Sequence, residues 1–165
     1  MADLLVLLVR YVHIVSAILW IGALGFSVMV LGRVMPQVGM PARKEVLRKL
    51  IPVVVRFIPA VAISTIVFGV ALYLLLGSFD PNVLWGSEWG RILLGALVLT
   101  LALFAFGVLV VIRASRRILG HLEEEAFTHQ AEMGTLQKRF NRGQVVALAW
   151  GAVILVLMVV ATAAF

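Results

Sequence analysis

The chain has 165 residues, of which 63% are hydrophobic and only 13% charged, against about half apolar and a quarter charged in a typical soluble domain. That much apolar surface cannot all be hidden inside one small globule, so lipid must solvate part of it. The net charge of +6 does not point to nucleic acid, because twelve of the fourteen Lys and Arg fall in two stretches between apolar runs, Arg33 to Arg56 and Arg113 to Arg142. Basic residues confined to alternate loops follow the positive-inside pattern, and they attract the anionic lipids of a cytoplasmic leaflet. The absence of cysteine removes disulfides, iron–sulfur clusters and thiolate metal sites.

The predicted architecture is all-α: a single integral membrane four-helix domain covering 1–165, with spans near 4–31, 51–77, 91–112 and 143–165. Leu4 to Leu31 is too long for the apolar core of a cleavable signal and reads as a retained first helix. Gly32-Arg33-Val34-Met35-Pro36 stops it, and Pro41 opens a short amphipathic piece over Ala42 to Leu50. In the second span, Ile51 to Gly77, Pro52 suits a first turn and Pro59 sits inside the run as a kink, with Arg56 snorkelling at the inner end. The segment Ser78 to Gly90 has no Lys or Arg, and its Trp85 and Trp89 read as interfacial belt residues. Arg91 to Ile112 is the third span. The second basic loop, Arg113 to Arg142, reads helical over Ala114 to Lys138, and Gly143 to Phe165 is the fourth span. An even number of spans with both basic loops in the cytoplasm places both termini outside. The halves share the plan of helix, basic loop, helix, but not their sequences.

Ionisable side chains deep inside a membrane segment are costly and default to functional candidates. His13 is the one histidine inside a span, nine residues beyond Leu4, which is about 14 Å along a helix axis. Neutral imidazole ligates haem iron and copper alike; the competing reading is a hydrogen bond that ties neighbouring helices together. Met158, seven residues from the end of the fourth span, lies at a similar depth and is a candidate sixth ligand, or else an ordinary interface filler. A second His13 from a symmetric partner is the alternative sixth ligand. Arg10 and Arg91, towards the outer ends of their helices, are candidates to pair with haem propionates, or to snorkel. His121, Glu125 and His129 share one helical face by their spacing and form a weak candidate metal site, set against a reading as a salt-laced surface helix. Gly22, Gly25 and Ser27 with Ala147 and Gly151 read as small faces for close helix approach. Ser64 and Thr65 read as partners for carbonyls freed near Pro59. There is no phosphate loop, dinucleotide fingerprint or Ser–His–Asp set.

The run Tyr11-Val12-His13-Ile14-Val15-Ser16-Ala17-Ile18-Leu19-Trp20-Ile21-Gly22 places a Trp seven residues after the His and a Gly two further on. It resembles the first helix of the copper resistance D (CopD-like) membrane family and its relative, the small four-helix haem-binding membrane protoporphyrinogen oxidase type. Trp89-Gly90-Arg91-Ile92-Leu93-Leu94 is similar to the aromatic-Gly-Arg opening of that family's third helix. The resemblance implies a prokaryotic inner membrane and a haem b-binding, redox-active protein. His13 would be an axial ligand, Arg10, Trp20 and Arg91 supporting neighbours, and a quinol or periplasmic protein the electron partner. Copper import or tolerance is the alternative, and a non-catalytic subunit of a larger membrane complex a third. Leu94-Gly95-Ala96-Leu97 departs from the pattern, which carries an essential Lys there in the oxidase type, so that oxidation is not implied.

Overall fold

Apolar runs of this length have one stable form in hydrocarbon, because a helix satisfies every backbone polar group within its own segment. The computed structural model describes residues 2–163 apart from 114, 116, 118, 119 and 121–129. It contains four long helices: α1 (Ala2–Phe26), α2 (Met40–Leu76), α3 (Glu88–Phe106) and α4 (Gln130–Ala163). Each contributes to a stretch long and apolar enough to cross a membrane, Leu4–Gln37, Met40–Leu76, Glu88–Val110 and Phe140–Ala163. This is the architecture of a multi-pass membrane protein, with no strand among the described residues. Its large aliphatic side chains point outward in number, as Ile18 at 65% and Val159 at 69% exposure show; a shell of that kind is compatible with lipid and not with water.

The structure departs from the expected picture in three places, one of helix extent, one of helix type and one of a side chain's setting. α2 runs unbroken from Met40 through both Pro52 and Pro59, so the piece expected over Ala42 to Leu50 is the first part of the same helix. Each proline removes only its own N–H from the ladder, and packing inside a bundle tolerates that loss. α1 and α3 each pass into a π-helical turn at the same end of the molecule, Ser27–Leu31 and Gly107–Ile112. Trp89 is not a belt residue: it is buried in the first turn of α3 and stacks on Tyr73 at 5.7 Å, while Trp85 stays exposed.

α1 packs along α2 and α3 along α4, and the two pairs close through α2–α3 and α1–α4 contacts. The core draws on all four helices: Trp20 and Leu24, Ala62, Leu103, and Ala147 with Ile154. Small residues let α1 approach α4, with a Cβ at Gly151 meeting Ile21 at 3.7 Å and one at Gly25 meeting Leu148 at 4.0 Å. Gly22 meets nothing within 4 Å and takes no part in that approach.

The turn between α2 and α3 is tightly organised. Ser78 and Phe79 both take positive φ, 52° and 56°, the left-handed region uncommon outside glycine. Asp80 Oδ1 accepts from the Asn82 backbone N–H at 2.8 Å, an Asx turn, and Ser87 caps α3 by accepting from Gly90 N–H at 2.9 Å. Tyr73 donates its hydroxyl to the Leu84 carbonyl, pinning the turn over the helix ends around buried Leu84, Trp89 and Ala161.

Candidate functional site

His13 faces α2 near the middle of α1. Its Nδ1 lies 2.9 Å from the Thr65 carbonyl oxygen. A carbonyl only accepts, so Nδ1 carries the hydrogen and donates it, which in the neutral ring leaves the lone pair on Nε2. One turn along the same interface, Ser16 Oγ and Ser64 Oγ hydrogen-bond at 2.8 Å. Thr65 donates its hydroxyl to the Val61 carbonyl at 2.9 Å. Ser64 is therefore a cross-helix partner, and neither residue reaches the Val55 carbonyl, the one that Pro59 deprives of its donor.

The ring of His13 lines an apolar cavity of about 130 Å³ at the centre of the bundle. All four helices contribute: His13 and Trp20 from α1, Thr65 and Tyr73 from α2, Thr100 from α3 and Met158 from α4, with aliphatic side chains and Gly69 and Gly151 between them. No charged side chain lines it. The polar atoms in the wall have spent their hydrogens. Thr100 donates to Ala96 O at 2.7 Å, Thr65 to Val61 O, Tyr73 to Leu84 O and His13 to Thr65 O. Apart from the Trp20 indole N–H, they offer lone pairs to whatever enters. Such a wall suits an apolar or hydrogen-donating group, or a metal ion that the Nε2 lone pair can ligate, rather than an anion.

Of the candidate ligand and cofactor-binding residues named from the sequence, three meet here: His13, Trp20 and Met158 all line this cavity. Two do not. Arg10 is exposed on α1, and Arg91, also exposed, donates from Nη1 to the Gly86 carbonyl at 2.8 Å. His121, Glu125 and His129 lie outside the described residues. Among the described residues no three His, Cys, Asp or Glu side chains form a group that could hold a metal. A metal here would depend on one imidazole together with donors of another kind, and thioether sulfur is one.

The chain matches no protein-family model, no curated protein and no solved structure.

Sequence reasoning missed Gly69 and Tyr73. A Cβ on Gly69 would lie 2.8 Å from His13 Cε1 and 3.1 Å from Nδ1, so the imidazole occupies the space that a side chain there would fill. A glycine in an apolar helix carries no local sign of this, because the contact depends on the register of α1 against α2. Tyr73 is the tyrosine in α2, and its place between the cavity and the turn follows only from the packing of α2 on α3.

Proposed function

We propose that the chain is a small multi-pass redox protein of the CopD-like kind, in a prokaryotic inner membrane, that binds haem b with His13 as an axial ligand. The observation that carries this reading is the hydrogen bond from His13 Nδ1 to the Thr65 carbonyl at 2.9 Å. Metal-ligating histidines almost always donate their other ring N–H to a carbonyl or carboxylate, which fixes the tautomer and raises the basicity of the ligating nitrogen. Here that ligating nitrogen is Nε2. Met158, which lines the same cavity from α4, is the candidate for a second ligand.

The donor chemistry suits haem, and the space suits only part of it. About 130 Å³ is less than the roughly 300–1,000 Å³ of pockets that enclose organic ligands. The enclosed space is therefore too small to hold a whole macrocycle, and His13 is the residue that would hold its metal. Haem bound at this position would supply one-electron exchange between ferric and ferrous iron. The protein's own part is to offer Nε2 and to exclude water with Trp20, Leu103 and Ile154. Arg10 and Arg91, both exposed and outside the cavity lining, would be the candidates to pair with the propionates. The basic stretches mark the cytoplasmic side, which puts both termini and the 77–87 turn outside, where a quinol or a periplasmic protein would exchange electrons.

The same volume favours a second reading, in which the ligand is a copper ion. An ion fits the enclosed space entirely, and imidazole with thioether suits Cu(I), as expected of copper import or tolerance.

Iron and copper contents of protein purified from cells given ample haem and copper test both readings. Stoichiometric iron extractable as haem b and lost in His13→Ala supports the first. Copper lost in that variant supports the second. A chain that carries neither metal contradicts both.

A further inference from the structure

A helix carbonyl is normally screened from side chains of neighbouring helices. The Thr65 carbonyl in α2 accepts from the N–H of residue 69 in the helix ladder, and it keeps a second lone pair for another donor. What usually blocks that lone pair is the side chain four residues on, because helical side chains lean back towards the N-terminus and cover the preceding turn. Residue 69 is glycine. Its missing Cβ leaves the carbonyl of Thr65 open, and the imidazole of His13 fills the gap.

We infer that Gly69 and the Thr65 carbonyl form a notch on α2 that holds the His13 ring in one tautomer and one orientation, so that Gly69 is the positioning residue of the site. The steric case is direct: a methyl at position 69 would stand 2.8 Å from Cε1, 3.1 Å from Nδ1 and 3.8 Å from Nε2. It contacts the ring along its Nδ1 edge, so the ring must move off Thr65 O to relieve it. The Ser16–Ser64 hydrogen bond at 2.8 Å fixes the helix pair one turn away and keeps the register that brings ring and notch together. Losing the notch would leave His13 on α1, with its N–H unpaired and the hydrogen free to reside on Nε2, where it blocks ligation.

The consequence for metal affinity rests on His13 being a ligand, whereas the notch itself is a property of the α1–α2 interface and is tested without any metal. Nitrogen NMR of protein labelled with ¹⁵N-histidine, in detergent, reports which ring nitrogen is protonated, and His13→Ala assigns the signal. The wild type is expected to carry the hydrogen on Nδ1. Gly69→Ala is expected to lose that preference and to bind added haem or Cu(I) about 10- to 100-fold more weakly, the usual effect of removing an outer-shell partner. Gly95→Ala, where a Cβ meets nothing within 4 Å, should leave both readouts unchanged. A wild-type His13 protonated on Nε2 overturns the notch, even if Gly69→Ala fails to fold, and so does a Gly69→Ala protein that keeps the Nδ1 hydrogen. An Nδ1 hydrogen lost in Gly69→Ala, in a protein that binds neither metal, upholds the notch and removes the metal reading alone.

Discussion

A methyl group is the smallest change available to a glycine, and on this chain its cost depends on what the empty side faces. At Gly90 a Cβ would run into the carbonyl oxygens of Val83 and Leu84, backbone atoms of the turn that cannot swing aside. Gly90→Ala should therefore cost about 1–3 kcal/mol, as overpacking of a fitted interior does. Gly95→Ala, facing open space, should be neutral or stabilising by up to about 1 kcal/mol through helix propensity. Thermal unfolding in detergent separates them, and equal midpoints would show that the turn does not press on Gly90. Position 90 also sits in the Trp89-Gly90-Arg91 run that the sequence offered as a resemblance, and the structure supplies a packing reason for the glycine. His13 was legible because an ionisable group in an apolar run stands out by chemistry alone. Gly69 was not, since its meaning lies in a residue 56 positions away.

Among the elements, hydropathy set the four spans and local signals misplaced some of their limits. Pro52 reads as a helix start, yet α2 passes through it, because a proline costs the ladder a single hydrogen bond and the amphipathic turns before it continue the same helix. Trp89 reads as an interface anchor, but its burial against Tyr73 follows from the 77–87 turn folding back over the bundle. Tyr73 is the hinge of that arrangement. Removing its hydroxyl in Tyr73→Phe leaves the buried Leu84 carbonyl short of a donor, at about 1–3 kcal/mol. Amide exchange in residues 78–87 should speed up accordingly, while exchange in the middle of α1 stays unchanged. A turn that exchanges at the wild-type rate would mean that the Asx turn and the Ser87 cap hold it without Tyr73.

The whole molecule is an apolar shell around four helices closed into a bundle, with a cavity to which each helix contributes. Orientation can be tested cleanly because the chain has no cysteine of its own. A cysteine at exposed Phe79 in the turn should react with an impermeant maleimide in intact cells, and one at exposed Glu45 only after lysis. The reverse pattern would put the basic stretches outside and contradict the positive-inside assignment.

In the proposed function His13 offers Nε2 to a redox metal inside this cavity. The optical spectrum of detergent-purified protein, oxidised and dithionite-reduced, for the wild type and His13→Ala, tests this. A Soret band with sharp reduced α and β bands, present in the wild type and absent from the variant, is the predicted result. A wild-type spectrum without those bands, from protein made with ample haem, would contradict haem ligation by His13.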